Sequence, residues 1–253
     1  TKAEIDAITV NKDAPSFVNT VEALENTGMQ LDRATSIFFN LNGAETNEEI
    51  QKIAQEIMPL LTEFGNDILL NEPLFNRVKT VFDNRETLTL NPEQQMLLEK
   101  QYKGFYRNGA NLNKEEKDQL RKIDTELAKL KLTFGENVLA ETNKFEMLIT
   151  NEEDLAGLPE GAKESARHTA EEKEKDGWLF TLDYPSYVPF MKYSEKRELR
   201  KKMAVAFGAR AYHNDDLDNQ QNVLNIARLR HERAELLGYE SHAHFVLEER
   251  MAK

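Results

Sequence analysis

Apolar side chains recur at intervals of three and four residues along most of this chain, which is the spacing of amphipathic helices. The clearest run predicts a helix over residues 114–142. Its apolar stripe consists of Leu120, Ile123, Leu127, Leu130, Phe134 and Val138. Lys and Glu occupy many of the positions between them, so we interpret the stripe as a packing surface and not as a cofactor site.

The same spacing predicts further helices on both sides of this one. One carries Leu31, Ala34, Ile37, Phe38 and Leu41, and the next carries Ile50, Ile53, Ala54, Ile57, Leu60 and Leu61. Residue types that favour helix starts precede or open several of the predicted helices. These positions are Ser16, Thr46 or Asn47, Pro73, Asn91, Ser194, Asp215 and Ser241. Most of the chain is therefore predicted to be helical.

Two short runs with strand character interrupt the helices near the middle of the chain. Residues 178–183 alternate in the period-two pattern of a strand, and residues 145–150 form the other run. Between them, a charged helix is predicted over residues 160–176. The predicted fold class is therefore mainly α, with one short strand pair.

No flexible linker or low-complexity tract divides the sequence, so the strand pair is its candidate boundary. We distinguish a helical region over 1–143, a region of strands, charged helix and aromatic segment over 144–191, and a helical region over 192–253. We expect the three to form one structural unit. The 11 glycines and 7 prolines among 253 residues favour long helices over a many-stranded sandwich or barrel.

The chain is acidic, with 33 basic and 45 acidic residues and a net charge of −12. This charge disfavours a nucleic-acid partner. No apolar run approaches the roughly 20 residues of a membrane span. The absence of cysteine excludes disulfides. Because the first residue is Thr1 and not Met, the sequence leaves the compartment open between cytoplasm and periplasm.

A zinc-peptidase site on a helix requires His-Glu-x-x-His, which places two imidazoles on one face and a catalytic Glu beside them. The nearest pattern runs from His231 to Glu235, but its fifth position is Glu and no third ligand has a suitable spacing. His242 and His244 are two residues apart, so a helix would point them in different directions. Adjacent acidic pairs are typical of solvated helix surfaces. The residues themselves therefore predict no metal site in this chain.

The segment over residues 182–191 combines two prolines with the aromatic side chains of Tyr184, Tyr187 and Phe190. Proline restricts the backbone, and tyrosine presents a ring with a polar tip. Such a segment could line a groove or could connect a strand to a helix with its rings in the core. The sequence leaves both readings open, and we take these three aromatic residues as the candidate binding residues.

Several longer stretches resemble the thimet-oligopeptidase-like zinc peptidases. They include the segment over 182–191 with the following Phe207-Gly208-Ala209-Arg210-Ala211, and the stretch over 229–239. The stretch over 105–112, followed by the stripe of the long helix, is most similar to the peptidyl-dipeptidase (dipeptidyl carboxypeptidase) branch. The resemblance covers nearly all of the chain.

The resemblance implies a two-lobed, nearly all-helical zinc peptidase of which this chain is the N-terminal half. It places zinc and the His-Glu-x-x-His motif in a C-terminal catalytic half, the expected partner within the same polypeptide. The parent would hydrolyse short peptides and release C-terminal dipeptides. This chain would supply one wall of the substrate channel, lined in part by Tyr184, Tyr187 and Phe190. It would hold no zinc and be inactive alone.

The ends of the sequence agree with that expectation, since Thr1 to Ile5 and His244 to Lys253 both read as interrupted helical patterns. The alternative hypothesis is a stand-alone helical interaction module without enzymatic activity. The same amphipathic pattern supports it, together with the lack of a recognisable site. A third hypothesis, an independent hydrolase, rests only on the abundant carboxylate pairs.

Overall fold

The computed structural model describes residues 1–251 and is mainly helical, which confirms the predicted fold class. Ala252 and Lys253, at the end of the last predicted helix, lie outside the described residues. The α-helices are α1 (Lys2–Thr9), α2 (Ala23–Glu25), α3 (Met29–Ala44), α4 (Glu48–Leu69), α5 (Glu72–Asp83), α6 (Pro92–Arg107), α7 (Lys114–Lys144), α8 (Glu160–Glu172), α9 (Tyr184–Tyr193), α10 (Arg197–Gly208), α11 (Gln220–Leu236) and α12 (His242–Leu247). The strands are β1 (Met147–Ile149) and β2 (Trp178–Phe180).

The chain divides into two compact units. Unit 1 consists of residues 1–130 together with the stretch from Ile226 onward, and unit 2 consists of residues 131–225. These bounds differ from the three predicted regions, whose grouping into one structural unit stays a prediction. Helices α7 and α11 each contribute residues to both units.

The cores of unit 1 form where apolar helix faces meet. Helices α1, α5 and α6 bury Ile5, Leu74, Val78 and Phe105 together. A second cluster joins Phe17, Val21, Val81 and Leu98. The predicted stripe of α7 supplies the third, in which Ile123 and Leu127 pack against Leu229 of α11. The long helix is confirmed, and the first half of its stripe is buried as a packing surface should be.

Polar side chains begin several of these helices as the sequence indicated. Asn91 and Gln94 form a reciprocal capping box at the start of α6, with bonds of 2.8 and 3.0 Å. Asn47, and not Thr46, caps α4. Ser16 also heads a helix, but its first six residues, Phe17–Glu22, are wound as a π-helix.

The buried guanidinium of Arg77 holds the segment before that π-helix in place. It donates hydrogen bonds to the carbonyls of Asn11 and Asp13, at 2.7 and 3.2 Å. It also donates to the side chains of Asn19 and Thr20, at 3.1 and 3.3 Å. Arg77 is only 8% exposed, so these acceptors replace the water that its charge loses on burial.

Unit 2 has its core around the two strands. They pair antiparallel with Met147 opposite Phe180, which confirms the predicted strand pair in a shorter form of three residues each. Between them, α8 begins at Glu160 as predicted but ends at Glu172 instead of continuing to residue 176. The core also includes Leu155, Leu182, Phe190 and Met203, all 2% exposed or less.

Two predicted helix starts in unit 2 differ from the structure. Residues 184–193 already form α9, so Ser194 ends that helix and does not cap α10, which begins after Lys196. Helix α11 begins at Gln220 and not at Asp215. The cause is a turn in which Asp218 accepts hydrogen bonds from the backbone N–H groups of Asn214 and Gln220, both at 2.8 Å.

Candidate functional site

Helix α9 carries all three aromatic residues that the sequence singled out. Asp183 precedes it with extended backbone, and Pro185 occupies the first turn, where a missing N–H removes no helical hydrogen bond. The hydroxyl of Ser186 accepts a hydrogen bond from the backbone N–H of Thr181 at 3.0 Å, which fixes this turn to the end of β2. The segment is thus a strand-to-helix connection that becomes helical at once.

Phe190 points into the core of unit 2. Its side chain is 0% exposed. Its ring meets that of Phe180 edge to face, with the centroids 4.7 Å apart. Phe190 therefore has a packing role, and its contact with a substrate stays a prediction.

Tyr187 forms a stack at the surface of unit 2. Its ring lies nearly parallel to that of Phe207, with the centroids 4.3 Å apart. The guanidinium carbon of Arg210 lies 3.7 Å from the same Phe207 centroid. Two groups this close to one ring must occupy its opposite faces. Arg210 is fixed there by hydrogen bonds to the Phe207 carbonyl at 2.9 Å and the Thr142 hydroxyl at 3.0 Å.

Tyr184 lies beside this stack and is 70% exposed. Its ring approaches Phe207 edge-on, at 6.1 Å between centroids. We refer to Tyr184, Tyr187, Phe207 and Arg210 as the α9 aromatic surface. Rings and a guanidinium can bind apolar, aromatic or extended peptide groups by stacking and cation–π contact. These four side chains contain no nucleophile paired with a base, so the surface fits binding and not bond cleavage.

Phe207 and Arg210 were noted in the sequence only as members of one motif. Their separation of three residues could have indicated that they lie close together, since residues three apart lie on the same side of a helix. The structure places Phe207 in the last turn of α10 and Arg210 just after it. The stack therefore combines α9 with the end of α10.

The histidines offer no metal centre. His231 and Glu235 lie 3.4 Å apart, but both side chains are more than half exposed. Glu141 is buried, and its carboxylate lies 3.3 Å from both the ammonium of Lys144 and the imidazole of His213. Over residues 1–251, no group of three His, Asp or Glu side chains is arranged to hold a metal ion. The residues present therefore do not fit a zinc site.

An ionic cluster in unit 1 was not anticipated from the sequence. The Nε of Arg107 donates to Glu248 at 2.6 Å and to the Tyr239 hydroxyl at 3.2 Å, and that hydroxyl donates to Glu248 at 2.6 Å. Arg107 also donates to the carbonyl of Phe245. The hydrogen bonds from Tyr239 and Arg107 hold the pKa of Glu248 below its usual value. The cluster fixes α12 to the end of α6.

A second arginine supports the same helix. The guanidinium of Arg233 lies 5.1 Å from the ring centroid of Phe245, and that of Arg107 lies 4.7 Å from it. Arg233 is itself held by Asp124 at 2.7 Å and by the side-chain oxygen of Asn108 at 3.0 Å. Local spacing could not reveal the bonds of Arg233 to Asp124 and Asn108, because they join residues more than one hundred positions apart.

The known proteins with sequences similar to this chain carry peptidase names. Residues 190–253 match the sequence model of peptidase family M3. The whole chain is 35% identical to dipeptidyl carboxypeptidase of Escherichia coli and 33% identical to oligopeptidase A of Salmonella typhimurium. Over 94% of the chain, it is 32% identical to a protein of Arabidopsis thaliana named probable cytosolic oligopeptidase A.

These relatives are much longer than the chain. It spans 37% of the E. coli protein, 38% of the Salmonella protein and 35% of the Arabidopsis protein. Across the helices that the structure describes, none is long and apolar enough to cross a membrane. The peptidase names of these relatives do not favour the alternative hypothesis of a stand-alone interaction module. Residues 190–253 thus match peptidase family M3, and the chain is similar along its full length to proteins that carry peptidase names.

Proposed function

We propose that this chain is the N-terminal, non-catalytic portion of a zinc peptidase that hydrolyses short peptides. The observation that carries the proposal is the similarity of the entire chain to little more than a third of each relative. A chain that matches only this share of each relative is expected if the catalytic residues lie in the remainder of the parent polypeptide. The name of the E. coli relative supports release of C-terminal dipeptides as the specific activity.

Zinc belongs, in this proposal, to the part of the parent outside the chain. The described residues do not fit a zinc site, and the His231–Glu235 pair is solvated. We therefore expect the purified 253-residue chain to cleave no short peptides when zinc is supplied. Chelator-sensitive cleavage by this chain alone would overturn the non-catalytic assignment.

The chain's own contribution is one wall of the substrate channel. Within unit 2, the α9 aromatic surface is the candidate contact, because Tyr184 is exposed while its neighbour Tyr187 is fixed on Phe207. Rigid, amphipathic rings bind extended peptides at little entropic cost. Phe190, proposed with them, would support this surface from the core.

The test uses the full-length parent. Its reading frame should continue past Lys253 into a His-Glu-x-x-His sequence, and its product should cleave short peptides until zinc is chelated. In that enzyme we expect Tyr184→Ala to raise KM several-fold with little change in kcat, since it removes a binding contact. Tyr212→Ala is the control, because Tyr212 is similarly exposed, at 63% against 70%. Equal effects of the two substitutions would exclude a specific role for Tyr184.

A further inference from the structure

Helices α3 and α4 form a hairpin that is joined to the rest of unit 1 mainly at one end. Only three residues, 45–47, connect the two helices. Among the described residues, each of them packs extensively only on the other. The attachment lies near the end away from the loop, where Ile68 joins a core cluster and Asp67 pairs with Arg121 at 2.7 Å. Gly28, before α3, donates its N–H to Glu4 at 2.9 Å.

The hairpin leaves apolar side chains in water. Helix α3 has 16 residues and no buried one. Its Ile37 and Leu41 are 56% and 47% exposed, and Ile53 and Leu60 of α4 are 39% and 64% exposed. We refer to these four residues as the α3–α4 apolar surface. Within each helix the pair is spaced by four or seven residues, so each pair lies on one helix face.

Such a surface indicates a partner. Most helical stability in proteins comes from packing of an amphipathic face against other elements. Ile37 and Leu41 adjoin one turn apart on α3, and adjoining exposed apolar side chains mark interaction sites more often than single ones do. The four residues are all Ile or Leu, which is the composition of a domain core. Permanent interfaces are more hydrophobic than transient ones and resemble a domain core cut in half.

Two observations identify the occupant. The chain spans 37% of its E. coli relative, so about 63% of that protein's length lies outside the similarity. A polypeptide of that size can supply a covering layer. A second copy is a poorer candidate, because each chain carries a net charge of −12 and two copies would repel.

We propose that the α3–α4 apolar surface is an intramolecular interface, covered in the parent enzyme by the part of the polypeptide that lies outside this chain. The inference rests on the proposed function, since it requires that longer parent. It adds the location of the contact. The aliphatic side chains of Ile37, Leu41, Ile53 and Leu60 become core residues when the remainder of the parent is present.

The test exploits the absence of cysteine in this chain. Single-cysteine variants Ile37→Cys and Leu60→Cys are prepared in the 253-residue chain and in the full-length parent, with cysteines elsewhere in the parent replaced. Labelling by a maleimide should be at least about tenfold slower in the parent, because covered sites react only after local opening. The control is Asp32→Cys, an exposed position of α3 far around the helix from Ile37, whose rate should be similar in both proteins.

Two results would overturn the inference. Equal labelling of Ile37→Cys in chain and parent would show that the surface stays uncovered. Slow labelling in the chain itself, with a dimer mass by light scattering, would assign the surface to a second copy. Peptide cleavage by the parent is measured separately. An active parent with rapid labelling contradicts only this inference, whereas an inactive parent contradicts the proposed function whatever the labelling rates are.

Discussion

The α3–α4 hairpin and the strand-centred core of unit 2 contrast sharply in packing. In unit 2, Phe180, Phe190 and Met203 are 1% exposed or less, although β1 and β2 have only three residues each. In the hairpin, two regular helices of 16 and 22 residues expose Ile37 and Leu60 by more than half. Regular secondary structure and burial are therefore separate properties in this chain.

The contrast teaches what an amphipathic pattern means. The pattern of α3 and α4 predicts a face that must be covered, but it does not identify the covering element. In unit 2 the covering elements are near in sequence, so β1, α8, β2 and α9 bury one another. For the hairpin, the described residues supply little cover. The following predictions test this difference, beginning with the largest expected effect.

Truncating one large apolar side chain in each region should give very different losses of stability. We expect Phe190→Ala to lower the free energy of unfolding by about 3–5 kcal/mol, because it leaves a cavity in the core. Ile37→Ala should change it by no more than about 0.5 kcal/mol, as for other exposed positions. Urea denaturation followed by circular dichroism measures both. Similar losses would contradict the difference in packing.

Backbone crowding provides the second comparison. Gly177 has φ +126°, and an added Cβ would lie 2.4 Å from the carbonyl oxygen of Ile149, the residue that pairs with Trp178 across the sheet. Gly177→Ala should cost about 1–3 kcal/mol from backbone strain alone and disturb the strand pair. The control is Gly161→Ala, since a Cβ there meets nothing within 4 Å. Thermal unfolding monitored by the fluorescence of Trp178 in β2 should separate the two variants.

Helix α12 is held in place by ionic contacts, so we expect its stability to lie between that of the unit 2 core and that of the hairpin. The hydrogen bonds from Tyr239 and Arg107 lower the pKa of Glu248, so its ionised form stabilises the docked α12. This stabilisation is present above the unfolded pKa of about 4.3 and is lost as the pH falls through the lower folded value. Tyr239 ring resonances in NMR spectra should therefore change on acidification below about pH 4.

Glu248→Gln is the matched variant for that measurement. Glutamine keeps an acceptor oxygen but cannot ionise, so the pH dependence of the Tyr239 resonances should flatten. An unchanged profile in the variant would show that another group controls the transition.

The smallest expected effect lies in the hairpin itself. Gly65 is inside α4, and a Cβ added there meets nothing within 4 Å. Gly65→Ala should stabilise the helix by about 0.5–1 kcal/mol, because alanine loses less backbone freedom on folding. Hydrogen exchange of α4 amides should slow by a few-fold. Faster exchange would indicate that the open space at Gly65 is needed for packing.

Local patterns predicted most of the helices correctly, and the reasons are local. The apolar stripe of α7 and the cap at Asn91 depend on residues within a few positions of each other. The predicted start of α11 at Asp215 was wrong by five residues, because the side chain of Asp218 stabilises a turn that competes with helix. Helix α9 was missed because its two prolines favoured an irregular connection, although Pro185 suits a first turn.

The candidate site shows the limit of such reasoning. Tyr184 and Tyr187 were named from their residue type, but the division between exposed Tyr184, stacked Tyr187 and buried Phe190 depends on Phe207 and Phe180. Those partners belong to other elements. Likewise, the Arg107 cluster joins α6 to α12 through contacts that no local pattern contains.

The division of the chain into units has a consequence for its synthesis. Unit 2 is continuous, over residues 131–225, and it interrupts unit 1 in the sequence. Domains generally fold as units while the chain emerges from the ribosome. The first two core clusters of unit 1 need only residues 5–110 and can form early, and unit 2 can form next, whereas Ile123 and Leu127 of α7 must wait for Leu229. The packing of α7 on α11 and the hydrogen bond from Arg107 to Phe245 are therefore expected to form last, after unit 2 has been made.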